Sequence, residues 1–77
     1  MKLITPYAAD FGRPNIVIKH FPDMESYVLV PQIKSLKNKK VTIYHRLFPE
    51  PDKRIFELVL LLSEVRKATR QIELFVP

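Results

Sequence analysis

The chain has 77 residues, which is one domain at most and leaves room for only a small core. It contains no cysteine, so disulfides and thiolate metal sites are excluded. The formal net charge of +5 raises the question of a phosphate-bearing partner, although solvated surface lysines explain it more simply. The opening residues turn polar too soon for a signal peptide and no apolar run is as long as a membrane span, so we expect a cytoplasmic protein.

Short runs rich in β-branched residues predict four strands and a brief fifth one at the start of the chain. In chain order these are residues 3–5, 16–20, 26–30, 41–45 and 72–76. The segment 7–15, with its glycine and a proline, is predicted to be a loop. Asn38 is expected near the tip of the polar connection 33–40, because its short side chain tolerates a left-handed backbone.

One helix is predicted to run from about Lys53 to Thr69. Asp52 precedes it and is the expected N-cap, since its carboxylate can accept from the free N–H groups of the first turn. The apolar residues of this helix cover more than one stripe, so we expect burial on two sides. They are Ile55, Phe56, Leu58, Val59, Leu60, Leu61, Leu62, Val65 and Ala68.

The order of the last three elements predicts a parallel crossover, because a helix of this length separates two strands. The pair 16–20 and 26–30 is expected either to form a hairpin or to lie apart. The predicted fold class is therefore α/β, with a small mixed, mostly parallel sheet of four or five strands and one long helix. The two-sided helix and the abrupt end at Pro77 lead us to expect a partner surface, from the rest of the polypeptide or from another copy.

Five segments, in order, resemble the ribose-phosphate pyrophosphokinases (phosphoribosyl pyrophosphate synthetases). Residues 20–31 are similar to that family's F-P-D-G-E-x-Y-V-x-(I/V)-P segment, and residues 36–39 to its V-R-G-K turn, with Asn38 in place of glycine. The other three segments are the strand 41–44, the E-L-L-L-like helix 57–68 and the closing strand 72–77. Together they cover roughly Val17 to Pro77.

The resemblance implies that residues 1–77 form a single partial domain, the first half of a phosphoribosyltransferase-like domain. The implied function is a fragment or split piece of an enzyme that converts ATP and ribose 5-phosphate to PRPP and AMP. Phe21, Asp23 and Glu25 would contact the adenine of ATP at a subunit interface, and no residue is predicted to be catalytic or to bind metal. ATP and Mg²⁺ are the cofactors of the full enzyme, and none is expected for the isolated chain.

The implied partners are other copies in a homo-oligomer, or the complementary C-terminal part of a synthetase, with no membrane and no nucleic acid expected. Two alternatives stay open: a non-catalytic module that binds and regulates the full enzyme, and a small basic nucleic-acid-binding protein. The lysines that favour the second alternative are Lys34, Lys37, Lys39 and Lys40, but a solvated turn explains them better because no aromatic platform accompanies them.

Simpler structural roles are alternatives to the adenine-binding roles of these residues. Phe21 can be a hydrophobic anchor under a turn, and Asp23 can bond its own backbone as a turn former. Met24 stands where the family has glycine, which costs energy if that position needs a positive φ. His20 and His45, with no carboxylate placed beside them, are too few for a metal or acid–base site, so we expect surface or half-buried structural roles for both.

Overall fold

The computed structural model describes residues 1–22 and 26–77, and every structural statement below refers to them. They form five strands, one α-helix and two short 3₁₀ segments, Pro6–Phe11 and Ile33–Leu36. In chain order the main elements are β1 (Lys2–Ile4), β2 (Val17–His20), β3 (Ser26–Leu29), β4 (Val41–Tyr44), α1 (Pro51–Val65) and β5 (Ile72–Phe75). All five predicted strands are therefore present, and the predicted loop 7–15 begins with a 3₁₀ segment instead.

Three of the strands form a parallel sheet in the order β1-β4-β5, with β4 in the centre. Leu3 is the register partner of Ile43, which in turn lies opposite Leu74. Because β4, α1 and β5 follow one another along the chain, the predicted parallel crossover is confirmed. Within residues 1–22 and 26–77, the outer edge of β5 has no neighbouring strand.

The other two strands, β2 and β3, form a separate antiparallel pair with Val17 opposite Leu29 and His20 opposite Ser26. The hairpin alternative is thus correct, and the single sheet of four or five strands is not confirmed, since the described strands divide into sheets of three and two. The antiparallel ladder pairs β2 and β3 with each other, and β3 packs against α1 instead of extending the parallel sheet.

The hydrophobic core gathers apolar residues from the parallel sheet, the hairpin and α1. Its fully or almost fully buried members are Leu3, Ile16, Val28, Val30, Leu36, Val41, Ile43, Leu61 and Val65. The alternation of strand side chains explains the pattern in β4, where Val41 and Ile43 face the core. The core thus fixes α1 against β3 and sets the geometry of the site described below.

The bounds of α1 differ from the predicted ones at both ends. The helix starts at Pro51, after Glu50 in a left-handed conformation (φ 60°), so Asp52 lies inside the first turn and its assignment as N-cap was wrong. Proline fits the first helical position because its missing N–H would have no partner there. The helix ends at Val65 rather than Thr69, whose hydroxyl donates to the carbonyl of Lys39.

The burial of α1 also differs from the prediction. Its buried residues, Arg54, Glu57, Leu61 and Val65, follow one another at spacings of three and four and form a single face. Ile55, Phe56 and Val59 are about half exposed, so burial on two sides was wrong for this structure. The buried face carries two charged residues, and the exposed face carries three apolar ones.

Two backbone positions depend on their residue type. Asn38 has φ 58°, which confirms the expected left-handed tip, and its N–H donates to the carbonyl of Ala68. Gly12 has φ 151°, and a Cβ placed there would lie 2.7 Å from Cδ1 of Ile4.

No helix in the described part of the chain is long and apolar enough to cross a membrane.

Candidate functional site

The candidate site is a cleft of about 400 Å³ between the end of the β2–β3 hairpin and the start of α1. The hairpin contributes three of its residues and the helix three. They are His20, Phe21, Ser26, Asp52, Lys53 and Phe56. The cleft exists because β3 packs along α1, which places the start of the helix beside the end of β2 and the start of β3. Phe21, from the segment that carries the family resemblance, therefore borders an open cleft.

Phe21 is the one predicted site residue that the structure describes. Its side chain is 47% exposed, and its ring makes an edge contact with Tyr27 at a centroid distance of 6.4 Å. The ring is thus partly free for a ligand. Asp23 and Glu25, together with Met24, lie outside the described residues, and their predicted roles stay predictions.

A buried ion pair lies on the helix next to the cleft. The carboxylate of Glu57 is fully buried, and its Oε1 is 2.6 Å from Nε of Arg54, which is also buried. The two atoms are close without a well-aligned hydrogen bond, so the attraction is mainly between charges. The guanidinium of Arg54 lies 3.9 Å from the centre of the Tyr7 ring, which adds a cation–π contact.

The second oxygen of Glu57 faces two further side chains. The hydroxyl of Tyr7 donates to Oε2 at 3.1 Å, and Nε2 of His20 lies 3.3 Å from the same oxygen. Burial raises the pKa of Tyr7, and the hydrogen bond to Glu57 adds to this shift. The phenol therefore stays a donor at neutral pH, and Glu57 joins three elements of the fold.

His20 connects this buried group to the cleft. Its side chain is half exposed, and Nδ1 lies 3.3 Å from Oγ of Ser26 at the end of the hairpin ladder. A carboxylate oxygen beside Nε2 favours a proton on that nitrogen, so Nδ1 is the acceptor for the Ser26 hydroxyl. Glu57 thereby orients an imidazole whose exposed part borders the cleft.

His45 has the expected structural role, but its predicted surface or half-buried position was wrong. It is fully buried, and its Nε2 is 2.8 Å from the carbonyl oxygen of Arg54, which can only accept. Nε2 therefore carries the proton, and Nδ1 accepts from the hydroxyl of Thr5 at 3.0 Å. Burial lowers the pKa of His45. The neutral ring of His45, which follows β4, thus connects Thr5 at the end of β1 with Arg54 of α1.

The sequence reasoning missed Tyr7, Arg54 and Glu57. For the two helix residues a signal exists, because Arg54, Glu57, Leu61 and Val65 recur at helical spacing and predict a common face. The many apolar residues of α1 hid that signal. Tyr7 had no local signal, since its contact with Glu57 joins residues 50 positions apart.

The lysines of the connection 33–40 divide into two groups. Lys34 and Lys37 line a second cleft, of about 460 Å³, together with Lys67, which follows the end of α1. Lys40 instead pairs with Glu73 of β5 at 2.8 Å. The structure therefore does not bring the four predicted lysines into one patch. Within residues 1–22 and 26–77, no three metal-ligating side chains lie together.

Comparison with known proteins agrees with the resemblance noted in the sequence. No protein-family model matches the chain. The chain is similar to the ribose-phosphate pyrophosphokinase of Sulfurisphaera tokodaii, with 37% identity over 52 residues. The match covers 65% of this chain and 17% of that enzyme. The chain thus corresponds to a small part of its relative, and the similarity supports the family only for that part.

Proposed function

We propose that the chain is an N-terminal piece of a ribose-phosphate pyrophosphokinase that contributes adenine contacts and subunit contacts and is inactive alone. In this proposal residues 1–77 are the first half of a phosphoribosyltransferase-like domain, completed by the rest of a synthetase. The observation that carries the proposal is the 37% identity over 52 residues to a protein of that name.

The position of Phe21 supports this function. A residue that served only as an anchor for the turn would be expected under it, whereas this ring is 47% exposed beside a cleft. An exposed aromatic ring can stack on adenine, and stacking on a base stabilises binding by about 1–3 kcal/mol. Asp23 and Glu25, which follow Phe21 closely in the sequence, would accept from the amino group of the base.

The proposed roles of this chain and of the rest of the enzyme follow from the residue types of segment 21–25. Aromatic and carboxylate side chains recognise a base, whereas pyrophosphoryl transfer needs metal ions and cations around the phosphates. The ATP and Mg²⁺ chemistry would then belong to the remainder of the enzyme. The open edge of β5 supports the need for that remainder, because a parallel strand at an edge leaves backbone groups without partners.

To test this proposal, the segment that matches the chain is deleted from the Sulfurisphaera tokodaii enzyme. The chain is then added to the truncated enzyme as a separate polypeptide or fused to it. AMP formation is measured with ATP, ribose 5-phosphate and Mg²⁺. We expect activity to return, and Phe21→Ala to raise the KM for ATP about tenfold, since 1.4 kcal/mol of lost stacking is a factor of ten. Phe48→Ala is the matched control, because Phe48 is 73% exposed and does not line the cleft.

Two results contradict the proposal: no AMP in either arrangement, or equal KM values for the Phe21 and Phe48 variants. The regulatory alternative predicts a different pattern. The exposed apolar residues Ile55 and Val59 on α1 favour an interaction module. Such a module would bind the intact enzyme and change its activity without restoring the truncated one.

A further inference from the structure

The positive charge of the chain is concentrated where the connection 33–40 meets the segment that follows α1. Segments 33–40 and 64–73 together carry seven lysines and arginines and two carboxylates, so their net charge of +5 equals that of the whole chain. Solvated lysines scattered over the surface would not produce this concentration. The charge therefore has a definite place in the fold.

Hydrogen bonds hold the two segments together. The N–H of Asn38 donates to the carbonyl of Ala68 at 3.0 Å. The hydroxyl of Thr69 donates to the carbonyl of Lys39 at 2.6 Å, and the amide side chain of Gln71 donates to the carbonyl of Asn38 at 3.3 Å. These contacts place the lysines of the connection beside the cations that follow the helix.

Two neighbouring clefts open on this region, and both are lined by Lys67. The cleft of about 460 Å³ is also lined by Lys34 and Lys37, and a third cleft, of about 370 Å³, is lined by Arg66 and Arg70. All of these side chains belong to exposed residues. We call these five cations the basic surface: Lys34, Lys37, Arg66, Lys67 and Arg70.

Few cations of the basic surface are neutralised by carboxylates. Lys67 pairs with Glu64 at 3.1 Å, in an exposed pair that water screens. Among the residues that the structure describes, the other four cations form no ion pair. Cations after a helix interact favourably with its dipole, which accounts for Arg66 and Lys67. Lys34 and Lys37 belong to another segment, so the helix does not explain their position.

The residue types of the two clefts indicate a nucleic acid as the anionic partner. Lysine is depleted in protein–protein interfaces, whereas protein–nucleic acid interfaces are polar and strongly positive. Amide side chains also contact phosphates in such interfaces, and those of Asn38 and Gln71 line the third cleft. No aromatic residue of the described ranges lines either cleft, so a platform for stacking single-stranded bases is missing there. A duplex, whose bases already stack on one another, fits this surface better.

We propose that the basic surface binds the phosphate backbone of a double-stranded nucleic acid without reading its base sequence. This inference goes beyond the proposed function and does not rest on it. The basic surface lies at the C-terminal end of α1, whereas the cleft at Phe21 lies beside the start of that helix. The 15 residues of α1 span about 22 Å, so the two regions are separate.

The test adds the intact 77-residue chain to a fluorescently labelled duplex of about 20 base pairs, DNA in one arm and RNA in the other, and follows fluorescence anisotropy. At about 50 mM NaCl we expect saturable binding to both duplexes, with dissociation constants of about 1–100 μM. Three or four phosphate contacts predict that raising NaCl to about 200 mM weakens binding roughly 100-fold.

Lys37→Gln/Arg70→Gln removes one cation from each segment. The slope of log affinity against log salt should become shallower by about two, and binding at about 50 mM NaCl should weaken more than tenfold. Arg13→Gln/Lys19→Gln is the matched control, because it removes the same charge from exposed residues that line neither cleft. Its affinity should change less than about threefold. All four replaced residues are exposed, so both variants should fold, and circular dichroism checks this.

No saturable binding at about 50 mM NaCl overturns the inference, as does a salt slope shallower than about −1 or an equal effect of the two double variants. Tighter binding of a single strand of the same length also overturns it, because bases would then be recognised. Equal binding of a polyglutamate chain of the same charge would assign the surface to an acidic protein instead. Displacement of the duplex by millimolar inorganic phosphate at constant ionic strength would reveal a site for an isolated anion, which likewise contradicts the proposal.

Discussion

Nε2 of His20 lies 3.3 Å from Oε2 of Glu57, so a half-exposed imidazole contacts a fully buried carboxylate. The same carboxylate pairs with Arg54 and accepts from Tyr7. A buried charge without its partner is expensive, whereas a complete pair is nearly neutral in its effect on stability. The contact therefore makes the position of the hairpin depend on a charge balance inside the fold.

Glu57→Gln should destabilise the chain by about 3–5 kcal/mol, because it leaves the buried guanidinium of Arg54 without a counter-charge. Urea denaturation followed by circular dichroism measures the effect. Glu64→Gln is the control: Glu64 forms an exposed pair with Lys67, and the expected change is about 0.5 kcal/mol or less.

The double variant Arg54→Met/Glu57→Leu tests the reason for this loss. Replacing both charges by apolar residues of similar size removes the unpaired charge, so the double variant should be more stable than Glu57→Gln alone. A double variant that is less stable than the single one would show that the ion pair itself, rather than its imbalance, matters.

Stability should fall as the pH is lowered from about 7 to 5, through the buried His45. Burial lowers the pKa of His45 in the folded chain, so the unfolded chain binds the proton first. The contribution is present above the unfolded pKa of about 6.5 and is lost progressively as the pH falls below it. Urea denaturation at several pH values measures this dependence.

His45→Gln provides the comparison for this pH series. The variant should have lower stability at pH 7, because Thr5 and the carbonyl of Arg54 lose their shared partner. Its stability should also change less between pH 7 and 5 than that of the unaltered chain. An unchanged slope in the variant would show that other groups cause the acid sensitivity.

Gly12→Ala should destabilise the chain by about 1–3 kcal/mol. The new Cβ meets Cδ1 of Ile4 at 2.7 Å, and the φ of 151° is unfavourable for a residue with a side chain. In an Ile4→Val background the contacting methyl group is absent, so the same substitution should cost less. Thermal denaturation of the four chains measures both contributions, and equal costs in the two backgrounds would exclude the steric part.

Replacing Asn38 by glycine should preserve the stability of the fold, whereas replacing it by valine should lower it. With φ at 58°, Asn38→Gly should keep or slightly increase stability, whereas Asn38→Val should cost about 1–2 kcal/mol because a β-branched side chain is strained there. Chemical denaturation of the two variants checks this. Equal stability of both would mean that the turn changes its conformation freely.

The strands were predictable from the sequence because local signals define them. Prolines and β-branched runs delimit β2 and β3, and the order of β4, α1 and β5 implies their parallel pairing. Asn38 was predictable for the same reason. The division into two sheets was not, because the pairing of β1 with β4 joins residues about 40 positions apart.

The site was predictable only in part. Phe21 was found through the resemblance, and the structure places it at a cleft, whereas the network around Glu57 depends on contacts between distant elements. The helix N-cap was misplaced by two residues because Pro51 is compatible with the first helical position and Asp52 with the first turn.

The position of β5 at the margin of the parallel sheet has a practical consequence. Among the strands of the described ranges none covers its backbone groups on that side, and Leu74 and Phe75 expose apolar surface beside them. Concentrated samples should therefore self-associate by strand addition unless a physiological neighbour covers this margin. Charged substitutions at Leu74 offer a direct route to a monodisperse preparation.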